Sequence, residues 1–284
     1  MDKTALVLEG GALRGQYTAG VLDTFLTHGL HFDTVIGVSA GALCGTNYVS
    51  EQLGRTTHVN VGYRHDPNYI SLRRALHRED IINLDYLFAP HGDGWEDFDQ
   101  ATYDASPTQF VVVATSVTNG RPVYFVHPTG SELVDALKAS SAMPFISAPQ
   151  DTRLGLCLDG GITDSIPYGY AQAAGFDKIV VIRTRERAYR KAATSPVLAA
   201  AYQHTFGEHP AFVEAAIGRP EMYNRQADAL DALERAGAAF VIAPSQPVTV
   251  KRLEGDTGKL QALYDTGRQE GEARFAALQD YLKA

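Results

Sequence analysis

The stretch Thr34-Val-Ile-Gly-Val-Ser-Ala-Gly-Ala-Leu43 runs from an apolar segment into a serine with a glycine two residues before it and another two residues after. Asp33 to Val38 reads as a strand without polar alternation, as expected for a strand buried on both faces, and Ala40 to Ser50 reads as a helix. The turn between them, Gly37-Val-Ser-Ala-Gly41, fits a nucleophile elbow. Its glycines remove the Cβ atoms that would clash in so tight a turn, and the turn lifts the serine oxygen above the sheet. It also places that oxygen at a helix N-terminus, where the peptide dipoles favour negative charge. The pattern is short, and a turn that merely contains Ser39 explains it equally well. A lone serine hydroxyl is a weak nucleophile, so other segments must supply a base and hydrogen-bond donors.

Working upstream, Thr4-Ala-Leu-Val-Leu8 is a second buried strand, followed by the glycine-rich loop Glu9-Gly-Gly-Ala-Leu-Arg-Gly15. Tyr17, Val21, Leu22, Phe25 and Leu26 then recur at helical spacing, and Gly29 stands where a helix would stop. Strand, loop, helix, strand, turn, helix is the parallel βαβ pattern with right-handed crossovers. The Gly10–Gly15 loop presents unpaired N–H groups at a helix start, which makes it an anion site. One candidate anion is a dinucleotide pyrophosphate, with Asp33 at the distance expected of a ribose-binding acid. That fingerprint requires G-x-G-x-x-G, however, and Ala12 occupies its second glycine position. The other candidate is the oxyanion of an acyl-transfer intermediate. In a parallel sheet this loop and the Ser39 turn open on the same edge, which fits acyl transfer better.

Downstream, Gln109 to Ala114 and Pro122 to Val126 read as strands joined through Asn119-Gly120, a hairpin signal that predicts an antiparallel pair. A helix is expected over Ser131 to Ala139, capped by Ser131 with Glu132 in its first turn. Leu154 to Leu158 is a short strand running into Asp159-Gly160-Gly161. A helix over Tyr168 to Ala174 and a strand over Lys178 to Arg183 follow. Beyond Pro196 the pattern turns helical, with helices over Glu221 to Ala236 and roughly Thr257 to Leu282 flanking a strand at Ala239 to Ala243. We therefore expect a catalytic region over 1–220, and a helix–strand–helix extension over 221–284 packed on the same domain.

For the base, His204 and His209 have the chain order of a serine–acid–histidine triad, but neither follows a strand in a recognisable turn. Asp159 is better placed, at a strand end with two glycines that let the chain turn abruptly. A carboxylate serves as a base near neutral pH only where burial or its neighbours raise its affinity for the proton. Taken alone, Asp159-Gly-Gly161 is also explained by a simple turn.

Taken together and in this order, Glu9-Gly-Gly-Ala-Leu-Arg-Gly15, Gly37-Val-Ser-Ala-Gly41 and Asp159-Gly-Gly161 resemble the patatin-like phospholipases. Ala139-Ser-Ser-Ala-Met-Pro-Phe145 is similar to the segment that family carries before its Asp motif. The resemblance covers about residues 4 to 185 and is nearest to the bacterial stand-alone members. It implies an α/β three-layer sandwich with a mostly parallel central sheet and helices on both faces. It further implies Ser39 as nucleophile, Asp159 as base, and Gly10, Gly11, Ala12, Arg14 and Gly15 as the oxyanion and substrate loop. The implied substrate is a lipid or other acyl ester, with no metal or cofactor and no catalytic histidine. Ala12 departs from the third glycine found in many members.

Composition agrees with this reading. A net charge of −8 over 284 residues argues against nucleic acid, which needs clustered Lys and Arg. Cys44 and Cys157, the two cysteines, read as small buried hydrophobes rather than a disulfide framework. The N-terminal apolar run is too short for a signal peptide, and no segment approaches the roughly 18 apolar residues of a membrane span. We expect a cytoplasmic protein with at most transient membrane contact. The acidic stretch His91 to Asp99 lacks calcium-loop spacing and reads as a solvated flap. The basic stretch Ser71 to Arg78 reads as a solvated face. The competing functions are a non-catalytic lipid- or protein-binding module and a dinucleotide-dependent oxidoreductase.

Overall fold

A computed structural model describes residues 3–71, 74, 80–89, 95 and 97–284. The stretches over 71–78 and 91–99 lie largely outside these residues. The described end of the second, Asp99, caps a short helix by accepting from Thr102 N at 2.9 Å.

Eight strands form one mixed, mostly parallel sheet: β1 (Thr4–Leu8), β2 (Thr34–Val38), β3 (Gln109–Ser116), β4 (Pro122–Val126), β5 (Gln150–Thr152), β6 (Gly155–Asp159), β7 (Lys178–Ile182) and β8 (Phe240–Ile242). Their order is β5-β6-β3-β2-β1-β7-β8, with β4 also paired to β3. The run from β3 through β2, β1 and β7 to β8 is parallel, whereas β4, β6 and β5 join antiparallel. The Asn119-Gly120 turn is the predicted hairpin, with Gly120 at φ 63° and Thr115 opposite Pro122.

The register of β3 positions the site. Val111 to Val113 pair with both β2 and β4, so those two strands lie on opposite edges of β3. Ala114 and Thr115 pair with both β4 and β6, which puts β6 on the same edge as β2. The two strands therefore meet end to end and point at each other. Val38, the last residue of β2, lies opposite Val113, and Asp159, the last of β6, lies opposite Ala114. Asp159 thus reaches the Ser39 turn from an antiparallel strand, not from a parallel neighbour.

Because side chains alternate along each strand, the sheet carries a core on each face. Leu6, Leu8, Val35, Val112 and Ile182 pack with Tyr17, Phe25, Tyr48, Leu137 and Phe275. These belong to α1 (Gly15–Thr27), α2 (Ala40–Val49), a later helix over Gly130–Ser141 and the last helix, over Thr257–Lys283. On the other face Ala5, Val7, Ile36, Val113 and Val181 pack with Tyr168, Tyr223 and Leu230. Further helices in chain order are α3 (Arg55–Gly62), α4 (Leu84–Phe88), α5 (Gln100–Ala105), α6 (Gly130–Ser141), α7 (Tyr168–Ala173), α8 (Pro196–Phe206), α9 (Pro210–Arg235) and α10 (Thr257–Lys283). Helices on both faces of one sheet make the expected three-layer sandwich.

Two helix starts differ from expectation. Helix α6 begins at Gly130, and Thr129, in extended backbone, holds the cap position expected of Ser131. Helix α9 starts at Pro210 rather than Glu221 and runs unbroken through Pro220. An interior proline normally ends a helix, but here the apolar face of α9 is buried on both sides of it, at Phe212, Ala216, Tyr223 and Leu230. None of the described helices is long and apolar enough to cross a membrane.

Helix α10 lies directly against α1. A Cβ on Gly267 would sit 2.1 Å from the carbonyl oxygen of Tyr17, and one on Gly20 would sit 2.2 Å from that of Tyr264. Hydrogen bonds from Tyr17 Oη to Glu270 and from Tyr264 Oη to Asp23, both 2.7 Å, flank this contact.

Candidate active site

Ser39 stands between β2 and α2 at φ 55° and ψ −125°, outside the regions comfortable for an L-residue. Such a conformation costs about 1–3 kcal/mol and persists only where the surroundings over-determine it. Here they do. A Cβ on Gly41 would lie 2.3 Å from the carbonyl oxygen of Leu8, so α2 starts in direct contact with β1. The Ser39 N–H donates to Ser140 Oγ at 2.7 Å, and Ser140 Oγ in turn donates to the Val113 carbonyl at 2.6 Å. Ser140 is fully buried. It belongs to the Ala139–Phe145 segment, whose part in holding the turn follows from no spacing in the sequence.

Asp159 is held as firmly. Its N–H donates to the Ala142 carbonyl at 2.8 Å, and its carbonyl accepts from Thr115 Oγ1 at 3.0 Å. One carboxylate oxygen accepts from Gly161 N at 2.8 Å, and the other accepts from Ser39 Oγ at 2.7 Å. Both side chains are buried. Gly160 must lack a side chain, since a Cβ would lie 2.2 Å from the Val113 carbonyl oxygen.

The Gly10–Gly15 loop lies against this pair, with the would-be Cβ of Gly10 only 3.3 Å from Ser39 Cβ. The Gly10 N–H is already engaged, donating to the Ser165 carbonyl at 3.3 Å. Leu13 N donates to the Arg252 carbonyl and Arg14 N to that of Gly11. Among the described residues, Gly11 and Ala12 carry the loop N–H groups without an acceptor. Ala12 adopts φ 50°, which a glycine would hold without strain. Beneath the loop, buried Glu9 accepts from Thr184 N at 2.7 Å and Tyr223 Oη at 2.8 Å. Arg14 is buried too, and desolvation, with help from Arg185 and Arg252, lowers its guanidinium from 12.5 to about 10. Gly15 opens α1 beside Ala40.

Two cavities meet at the serine. One is lined largely by apolar side chains that include Leu43, Val59, Leu84, Leu87, Phe88 and Leu137. The other is lined by polar groups that include Arg14, Asp159, Lys191, Arg219 and Arg252. Ala12, Ser39, Met143 and Arg252 line both.

The remaining candidates lie elsewhere. His204 and His209 line a separate surface hollow with Phe145. Asp33 is at the opposite end of the sheet from the glycine loop, where it accepts from Thr4 N at 2.7 Å and joins the start of β1 to that of β2. A ribose-binding role for Asp33 is ruled out by this placement. Cys44 and Cys157 are buried free thiols, and burial pushes Cys44 up to about 12.

A family model described as patatin-like phospholipase matches residues 6–171, more than half of the chain. The chain belongs to the patatin-like phospholipase family. A second model, a domain of unknown function (DUF6363), matches residues 209–283. Among relatives of this patatin-like chain, the uncharacterized protein YjjU of Escherichia coli K12 is 32% identical over 197 residues, covering 64% of this chain and 52% of its own. The uncharacterized NTE family protein Rv1063c of Mycobacterium tuberculosis H37Rv is 25% identical over 188 residues, covering 63% and 48%. The chain spans about half the length of these curated relatives. Among solved structures, that of VipD from Legionella pneumophila is 12% identical with a TM-score of 0.40, covering 96% of this chain and 67% of that one.

Proposed function

We propose that this protein is a serine acyl hydrolase that cleaves lipid acyl esters with a Ser39–Asp159 dyad. The observation that carries the proposal is the 2.7 Å hydrogen bond from Ser39 Oγ to Asp159 Oδ2 where the apolar cavity meets the polar one. Ser39 Oγ attacks the ester carbonyl as its proton passes to Asp159. The N–H groups of Gly11 and Ala12 receive the oxyanion, each such donor being worth about 3 kcal/mol of barrier. Asp159 then protonates the departing alcohol, leaving an acyl-enzyme whose chain lies in the apolar cavity. Water, giving its proton to the same carboxylate, releases the fatty acid and restores Ser39. The protein would meet its substrate in transient contact with a lipid surface.

The test is turnover of p-nitrophenyl esters of increasing chain length and of phospholipids, together with labelling by a fluorophosphonate. Ser39→Ala and Asp159→Asn should each lose activity by about 10³-fold or more while remaining folded. Absence of labelling and turnover in the wild type would instead indicate a binding module. Full activity in Asp159→Asn alongside a dead His204 or His209 variant would indicate a three-residue triad.

A further inference from the structure

The polar cavity beside Ser39 is lined by four cationic side chains, Arg14, Lys191, Arg219 and Arg252. Among the described residues its lining supplies one carboxylate, Asp159, with Glu9 behind it already bonded to Thr184 N and Tyr223 Oη. Neighbouring cations are treated differently. Arg190 pairs with Asp228 at 2.6 Å and Asp231 at 3.0 Å, and Arg187 pairs with Glu234. No described carboxylate comes within ion-pair distance of the four cavity cations. Nε of Arg14 and Nε of Arg219 are buried with no hydrogen-bond partner. Four cations gathered in a half-buried site with one carboxylate in its lining repel one another, and an anion placed among them relieves that repulsion.

The cluster is also built into the fold. Lys191 N donates to Asn224 Oδ1 at 2.8 Å, and Asn224 Nδ2 donates back to the Lys191 carbonyl at 3.0 Å, fixing this loop to α9. The Lys191 ammonium rests 4.0 Å from the centre of the Tyr223 ring. Arg219 projects from α9 beside Gly161, where an added Cβ would meet Asp159 Oδ1 at 3.0 Å and Arg219 Nη2 at 3.1 Å. Arg252 is joined to the glycine loop through its carbonyl, which accepts from Leu13 N. Arg219 and Arg252 both fall within the 209–283 stretch that matches a domain of unknown function.

We propose that Lys191, Arg219 and Arg252, with Arg14, form a phosphate-binding subsite that holds a phosphate on the alcohol side of the scissile ester. This rests on the proposed hydrolase. The apolar cavity takes one acyl chain and the cationic cavity takes the phosphate, with Ser39 at the junction of the two. The favoured substrate is therefore a single-chain glyceryl ester carrying phosphate. In the reaction the ester C–O bond breaks, the phosphate-bearing alcohol leaves with the proton from Asp159, and no bond to phosphorus changes. The 209–283 region thereby supplies substrate selection to the catalytic sheet.

The test compares a lysophosphatidate with a monoacylglycerol of the same chain length. The wild type should prefer the phosphate ester in kcat/KM by about tenfold or more, since charge-assisted hydrogen bonds are the strong ones. Arg219→Gln and Arg252→Gln should each lower the ratio of the two kcat/KM values by about tenfold. Equal proportional losses on both esters, or no wild-type preference, would overturn the subsite. Calorimetry of Ser39→Ala with glycerol 3-phosphate, and separately with inorganic phosphate, tests the subsite without turnover. Binding of glycerol 3-phosphate that is lost in Arg219→Gln supports it even where the hydrolase reading fails. Failure of Ser39→Ala to bind glycerol 3-phosphate, or binding of inorganic phosphate alone, overturns it.

Discussion

At the scale of single residues, backbone strain marks the proposed nucleophile. Ser39 stands at φ 55°, and Ser140 secures it by accepting its N–H. Replacing Ser39 by Gly or by Ala removes the same hydroxyl, yet only Gly relieves the strain. Ser39→Gly should therefore be the more stable of two inactive variants by about 1 kcal/mol, read as a difference in urea midpoint at constant slope. Ser140→Ala leaves a buried N–H without a partner and should lower stability by about 1–3 kcal/mol. It should also reduce kcat more than it raises KM, because Ser140 touches only the backbone that aims the hydroxyl. Lys191 offers a test by pH. Burial, reinforced by Arg219, lowers its ammonium from 10.5 to about 7. The folded state thus binds fewer protons than the unfolded chain between about 7 and 10.5, so this group makes stability rise with pH across that window. Lys191→Met should flatten that part of the pH–stability curve in thermal melts. Of these residues Ser39 and Asp159 were legible, because glycines at fixed offsets advertise a tight turn. Ser140 was not, because its role depends on α6 crossing the end of β2.

At the scale of elements, the site depends on β2 and β6 abutting along one edge of β3. Their pairing residues, Val113 and Ala114, are consecutive, so one strand sets the distance between hydroxyl and carboxylate. A slip of one residue turns every side chain of a strand to the other face. Inserting a single residue into the β5–β6 turn at Arg153-Leu154 should be tolerated if the turn absorbs it. Inserting one between Leu156 and Asp159 should abolish turnover, with circular dichroism close to wild type. The apolar runs of β1, β2, β3 and β7 were readable as buried strands because a parallel sheet covered on both faces imposes that composition. The orientation of β6 was not readable, since a five-residue strand carries no sign of which neighbour it runs against. The start of α9 was obscured by Pro220, a residue that ends most helices.

At the scale of the molecule, the segments after residue 209 pack into the same sheet and layers as the patatin-like region. Strand β8 extends the sheet, α9 covers one face, and α10 covers the other by lying on α1. Gly267→Val would drive a side chain into the Tyr17 carbonyl and should cost about 1–3 kcal/mol or more, measured by chemical denaturation. It should also weaken turnover, because α1 opens at the glycine loop. The cationic convergence exists only at this scale. Lys191, Arg219 and Arg252 are far apart in sequence and each looks like an ordinary surface charge until the fold brings them to one cavity.

The clasp between α1 and α10 also bears on how the chain is made. The first helix emerges from the ribosome about 240 residues ahead of its partner, which at roughly 5–20 residues per second leaves its small-residue face bare for about 12–50 s. During that interval Gly20, Thr24 and Phe25 lack the Tyr264, Arg268 and Phe275 they meet in the folded protein, and chaperone capture of nascent chains should concentrate on this segment. The protein is thus a late folder, completed only when the stretch that closes over its first helix has been translated.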